Sequence, residues 1–350
     1  MSVPLFYQDG HERRPVSSQA SGTHQRYLTD GRQNLIKKKE GKILSVKLDI
    51  TIIKGQIPLL QDSCIEQINK GYSSDKKYIV HLNNNRKFLL RLFDLNEYEL
   101  KLNEFSCLEK MRNFEVKCSR PIEIGKLSQV GYMLLSFIDG HDALEQFPNL
   151  SDREQFNIGY EAGKELKKIH LYIAPKHISP WHERKAKKHK KYLDEYFACG
   201  MRIKNDDYII KFIEQNIKLI KERPNVFQHD DFHVGNIIIN DKKLAGVVDF
   251  NRYDWGDPIH EFLKVGIFSR EVSIPFSIGQ IKGYHNNNEP DELFWRLYSL
   301  YLAMSVFSTV IWTLKVIPED INEMLNKIYM FLEDHNYFNK IKPSWYKEGY

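Results

Sequence analysis

His229-Asp230-Asp231-Phe232-His233-Val234-Gly235-Asn236 runs into Ile237-Ile238-Ile239, a polar turn at Asn240-Asp241-Lys242-Lys243, and a second apolar run from Leu244 to Phe250. Two apolar runs around a polar turn make a β-hairpin, and an antiparallel hairpin brings its two ends together. Folding about Lys242 and Lys243 sets Asn236 almost opposite Asp249. An amide oxygen and a carboxylate side by side at one strand end suit a hard cation such as magnesium. Asp231, five residues before Asn236, then stands on the loop just above them. Phosphoryl transfer needs metal ions to neutralise phosphate oxygens and a carboxylate to orient the attacking hydroxyl. The loop and hairpin supply both.

Outward from this segment the chain divides. Residues 1–40 are polar and aperiodic, punctuated by Gly10, Pro15, Ser17, Ser18, Ser21 and Gly22, and read as a flexible tail. Short strands follow at Ile65–Ile68, Tyr78–Leu82 and Phe88–Leu92, the first two separated by the turn cluster Gly71-Tyr72-Ser73-Ser74-Asp75. A helix is expected over 97–112, with Leu100, Phe105 and Leu108 on one side, then strands at Ile122–Ile124 and Tyr132–Phe137. After Asp139-Gly140 the chain turns helical. Ser151 and Glu154 have capping-box spacing and open a helix to His170. Further helices are expected over 181–198, 207–222, 257–270, 291–315 and 319–333.

The loop and hairpin resemble the His-Gly-Asp-x-His-x-Gly-Asn and Ile-Asp-Phe motifs of the aminoglycoside phosphotransferases, in the same order and at the same interval. The resemblance spans about residues 60–335. It implies an α+β, protein-kinase-like fold of two lobes. The smaller, over 41–138, carries an antiparallel β-sheet and one helix and binds nucleotide. The larger, mostly helical, over 139–345, carries the catalytic loop and hairpin and binds substrate.

The implied activity is a kinase that moves the γ-phosphate of ATP or GTP to a hydroxyl of a small molecule, with Mg2+ as cofactor. Asp231 is the implied base, His229 the loop support, and Asn236 and Asp249 the implied metal ligands. Asp230 stands where the family mostly has glycine, and the five-residue spacing to Asn236 selects Asp231 over it. Asp254-Trp255-Gly256-Asp257-Pro258 and Glu261 also match. Asp257 with Pro258 at the first helical position already makes sense as a helix cap.

On the nucleotide side, Gly71, Ser73 and Ser74 sit where the family places a loop over the phosphates. Kinases put a strand lysine on the phosphates and pair it with a helix glutamate. Arg91 takes that strand position, Glu104 is its natural partner, and Lys87 is a second candidate. Arginine is a planar fork rather than a point charge, so the exchange is not neutral. Ser136, Phe137 and Ile138 resemble the hinge whose backbone meets the base. For the acceptor, Asp230, Asp254, Glu289, Asp291 and Glu292 are candidate contacts to a cationic aminosugar such as an aminoglycoside-type antibiotic. A metabolic alcohol or sugar is the alternative. A His/Asp metallohydrolase, built on His229, Asp230, Asp231 and His233, and a non-catalytic pseudokinase are the remaining rivals.

Bulk properties narrow the classes. The 350 residues are 42% hydrophobic, with 51 basic and 46 acidic side chains and a net charge of +5, which suits a folded chain with a real core. The one dense basic run, Arg184–Lys191, reads as a solvated helix face, so no nucleic-acid partner is expected. The apolar stretch Leu297–Leu314 carries Ser299, Ser305, Ser308, Thr309 and Thr313, and reads as a buried helix rather than a membrane span. Four cysteines lack metal or redox spacing, and the N-terminus lacks signal-peptide order, so a cytoplasmic location is expected.

Overall fold

A computed structural model describes residues 50–69 and 74–349 of the chain. The expected tail over 1–40, and with it Gly71 and Ser73, lie outside the described residues.

The first described element is helix α1 (Ile50–Gln56), which the sequence reading did not anticipate. It is followed by strands β1 (Cys64–Ile68), β2 (Lys76–His81) and β3 (Lys87–Asp94), helix α2 (Tyr98–Asn113), and strands β4 (Pro121–Lys126) and β5 (Val130–Ser136). The strands form one antiparallel sheet in the order β1-β2-β3-β5-β4. Successive side chains on a strand point to opposite faces, and β3 shows it. Phe88, Leu90 and Leu92 join Tyr78, Val80, Tyr132 and Leu134 in an outer core closed by Ile53 of α1 and by Ile57, just past its end. Phe93, Met133 and Leu135 face the other way, onto Cys107, Leu108 and Met111 of α2, and enter the large core of the second lobe. Arg91 lies on that inner face.

The rest is mainly helical: α3 (Asp152–Ile169), α4 (Trp181–Ala198), α5 (Asp206–Asn216), α6 (Ile274–Tyr284), α7 (Glu292–Val316) and α8 (Ile321–Asp334). Ser151 and Glu154 make the expected capping box on α3. A Cβ on Gly159 or Gly163 would meet the backbone of α6 at 2.1 Å, so both glycines allow the two helices to touch. α7 is the one helix among the described residues long and apolar enough to cross a membrane, and 78% of its apolar window is buried inside the fold. It is the spine of the large core, as its serines and threonines suggested.

Small strands hold the segment from His229 to Phe250. The strand β6 (His141–Asp142) pairs with β8 (Ile237–Asn240), which pairs in turn with β9 (Lys243–Val247), while β7 (Val226–Gln228) pairs with β10 (Asp254–Gly256). The hairpin turns at Asp241 and Lys242, both with positive φ (47° and 61°), one residue earlier than Lys242-Lys243. Two left-handed central residues give the turn that matches the twist of its strands.

Two expected helices are shorter or different. The one over 207–222 ends at Asn216 and continues as a 3-10 turn over Ile217–Ile220. The segment over 257–270 is not a regular helix. It is a 3-10 turn, Pro258–Phe262, followed by a π-turn, Val265–Ser269. A widened turn of this kind is frequent where side chains must be aimed at a site.

Candidate active site

The loop between β7 and β8 is braced from several directions. His229 is fully buried. Its Nε2–H donates to the Val248 carbonyl (3.0 Å), and its Nδ1 accepts from the Asp231 amide (3.3 Å). Burial lowers its pKa and keeps the ring neutral. Glu261, also buried, accepts the amides of Asp230 (3.1 Å) and Phe232 (3.3 Å). Burial would raise the Glu261 carboxyl, but His170 and the Asp230 amide outweigh it and hold it low. Ser269 Oγ accepts the Val234 amide at 3.1 Å. Glu261, Lys264 and Ser269 thus grip the loop from the irregular segment, and that is what its wide turn accomplishes.

Asp231 points where the braces meet. Its Oδ1 lies 3.0 Å from Lys264 Nζ and 3.5 Å from His233 Nε2. Burial favours the neutral acid, yet the His233 hydrogen bond and the Lys264 charge hold the carboxyl well below the usual carboxylate range. The side-chain amide of Asn236 donates to the Asp231 carbonyl (2.8 Å), which turns its oxygen away from that bond. Val248 donates its amide to the Asn236 carbonyl at 3.0 Å, so Asp249 follows directly beside Asn236. Asp249 is exposed, holds φ at 75°, and makes no ion pair or hydrogen bond among the described residues. An amide oxygen and a free carboxylate form a hard-oxygen set, and their chemistry fits a divalent cation such as Mg2+.

A model of the phosphotransferase enzyme family matches residues 65–298. The chain belongs to that family. It is a phosphotransferase, a kinase with a hydroxyl acceptor. No curated protein matches the chain in sequence. Solved structures share the phosphotransferase's fold at low identity. ADP-bound aminoglycoside phosphotransferase APH(2'')-Ib has 18% identity and a TM-score of 0.56, over 81% of this chain and 99% of that one. A thermostable variant of APH(4)-Ia, in ternary complex with AMP-PNP and hygromycin B, has 11% identity and a TM-score of 0.60, over 81% and 98%. APH(2'')-IIa with streptomycin and ATP has 19% identity and a TM-score of 0.54, over 81% and 99%.

On the sheet side of this phosphotransferase, Arg91 Nη1 meets Glu104 Oε1 at 2.5 Å, the pair expected from the sequence. Its Nε and Nη2 close on Asp75 (2.7 and 2.5 Å), and Lys101 closes on the same carboxylate at 2.7 Å. Asp75 was read only as part of a turn, and Lys101 was not singled out. Lys77, directly across from Arg91 on β2, was also missed. The alternation Lys77-Tyr78-Ile79-Val80 was the available signal, because Tyr78 and Val80 are the core face. Lys87, the second candidate, is exposed and pairs with Asp139 at 2.5 Å.

Ser74 is exposed, two residues before β2 begins. The Ser136 amide donates to the Arg120 carbonyl (2.8 Å) and the Phe137 amide to Lys87 (3.3 Å). Among the described residues, the Ile138 amide and carbonyl make no such bond.

The acidic acceptor candidates are dispersed. Asp230 adjoins the site, with φ at 62° and its carboxyl pushed up to about 6 by burial, against the pull of Lys264. Asp254 pairs with Arg184 at 3.0 Å. Glu289 is tied to Lys282 and to Tyr346 (2.8 Å), Asp291 caps α7 through the Phe294 amide (2.7 Å), and Glu292 pairs with Arg296 (2.8 Å). The structure does not bring these last three to the catalytic loop through any of their bonds. Asp257 caps its helix as expected, and it also anchors Arg223 (2.8 Å) and Tyr301 (2.7 Å). For the metallohydrolase rival, His229 spends both ring nitrogens on backbone groups, and His233 Nδ1 accepts the Gly235 amide at 3.0 Å. Among the described residues no three His, Cys, Asp or Glu side chains converge as metal ligands.

Proposed function

We propose that this phosphotransferase transfers the γ-phosphoryl group of ATP or GTP to a small-molecule hydroxyl, with Asp231 as the base. The observation that carries the reading is the convergence of Asp231, the freed Asn236 oxygen and Asp249, unpaired among the described residues, at one hairpin end. Asn236 and Asp249 would hold Mg2+, which when bound neutralises the phosphate oxygens. The lobe over 41–138 takes the nucleotide, with Ser136, Phe137 and Ile138 against the base. Ser74, Arg91 and Glu104 lie toward the phosphates. The lobe over 139–345 takes the acceptor.

Asp231 accepts a hydrogen bond from the acceptor hydroxyl and aims its oxygen at the γ-phosphorus. The P–O bond to the nucleoside diphosphate breaks as the new one forms, and the hydroxyl proton passes to Asp231. A carboxylate held so acidic is a weak base, which suits a loose transition state in which the proton leaves late. His229 and Glu261 keep the loop still while this happens.

Among acceptors, the solved relatives were captured with hygromycin B, gentamicin and streptomycin. One observation favours the other acceptor class. Asp254, Glu289, Asp291 and Glu292 are each engaged by a protein cation, a helix amide or a tyrosine, and Lys264 and Lys185 approach the catalytic loop. This favours an uncharged or weakly charged alcohol or sugar over a polycationic aminosugar. Nucleotide consumption across a panel holding both classes tests it, with Asp231→Ala as the control. Turnover should fall by about 10²-fold or more while nucleotide affinity holds. An unchanged rate would remove Asp231 from its role.

A further inference from the structure

Arg91 is buried, and each of its bonds ends on a protein carboxylate, so in the cluster of Arg91, Lys101, Asp75 and Glu104 both cations are closed on protein and the formal charges cancel, with Glu104 Oε2 buried and unpartnered among the described residues. A closed neutral cluster offers a triphosphate little attraction, and opening it would expose the buried Asp75 and Glu104 carboxylates to the phosphates. Yet the catalytic hairpin supplies oxygens for a cation and none of the positive charge a triphosphate needs from the other wall of the cleft.

Lys77 meets that need. The β2–β3 register sets it opposite Arg91, so both stand on the inner face of the sheet. It is half-buried, and among the described residues its ammonium makes no hydrogen bond or ion pair. The buried lysines Lys101, Lys282 and Lys327 each close on a carboxylate. Lys77 does not, although the charges of Asp249, Asp75 and Glu104 all reach it. The arginine cluster across the strand and the hairpin's free carboxylate are thus both within electrostatic reach of it. A partly desolvated cation without an anion is costly unless a ligand completes it.

We infer that Lys77, and not Arg91, is the side chain that contacts the β- and γ-phosphate oxygens of the nucleotide. Arg91 acts as a positioning residue that fixes Asp75 and α2. This rests on the kinase reading above, and it moves the phosphate cation from β3 to the neighbouring strand.

The test compares Lys77→Met and Lys77→Arg with the unaltered protein, by calorimetric binding of the magnesium triphosphate and of the matching nucleoside. Lys77→Met should weaken triphosphate binding by about 10- to 100-fold, the size of a charged hydrogen bond. Nucleoside affinity should hold, which also reports an intact fold, and Lys77→Arg should recover most of the loss. Triphosphate binding within about twofold of the unaltered protein would overturn the inference and leave the kinase reading standing. So would an equal loss for nucleoside and triphosphate, the mark of a structural role. Failure of the unaltered protein to bind any nucleotide would overturn both.

Discussion

On the sheet side of the cleft, Arg91 and Lys101 are closed on Asp75 and Glu104, whereas on the hairpin side Asp249 and the Asn236 amide oxygen have no protein partner among the described residues. Both sets come from residue types that catalyse phosphoryl transfer elsewhere, so residue type alone does not separate them. Saturation does. A buried charge whose every bond ends on protein stabilises a fold, and an oxygen left open is available to a ligand. The arginine that the sequence pointed to for the phosphates has its bonds on protein carboxylates.

The largest effect should come from breaking the closed side. Arg91→Ala leaves Glu104 buried without its cation and Asp75 with Lys101 alone, and should cost about 3–5 kcal/mol of stability, read from urea unfolding. Asp249→Ala should leave stability within about 0.5 kcal/mol and abolish magnesium-dependent nucleotide binding. If Arg91→Ala unfolded at the unaltered midpoint, the distinction between closed and open charge would fail.

Acid sharpens the same contrast. Burial raises the Asp75 carboxyl, but Arg91 and Lys101 pull it below its ordinary value. A carboxyl lowered in the folded state contributes stability above its unfolded pKa of about 4, and that contribution is lost as pH falls through the folded value. The urea midpoints of the unaltered protein and of Asp75→Asn should therefore differ at neutral pH and draw together below about pH 4. A gap that stayed constant would mean that Asp75 is not held by its cations.

Glu261→Gln tests the brace beneath the open side. An amide can accept only one of the two loop amides that Glu261 now takes, and presents a donor to the other. We expect a loss of about 1–3 kcal/mol. The catalytic rate should fall by about tenfold or more, because small misplacements of reacting groups are costly. Nucleotide affinity should be spared. An unchanged rate would show that the loop holds its shape without this carboxylate.

What was legible in the sequence follows from distance along the chain. The hairpin, the capping box of α3 and the strand alternation of β3 are local patterns. They were readable because their partners lie within about twenty residues. The Arg91–Glu104 pair also fell within one strand and the next helix. Lys264 on Asp231 and Ser269 on Val234 join residues more than thirty apart, through a segment whose irregular turns imitate an amphipathic helix in sequence. Nothing in its periodicity announces a π-turn. Asp257 shows the same limit: its capping role was visible, but Arg223, Tyr301 and their shared network were not.

The smallest effect, and the finest division between open and closed charge, lies at Asp230. It holds a left-handed φ of 62° at the position where glycine adopts that conformation without steric cost. Its carboxyl is displaced upward to about 6, so keeping it ionised at neutral pH is itself unfavourable. Asp230→Gly relieves both, and loses some of the gain to the greater freedom of glycine in the unfolded chain. The net should be a stabilisation of about 1 kcal/mol or less, with nucleotide affinity unchanged. If Asp230 belongs to the open class and touches the acceptor, kcat/KM for the acceptor should fall even as the unfolding midpoint rises. A more stable enzyme with undiminished kcat/KM would put Asp230 outside the acceptor site, a strained spectator beside Asp231.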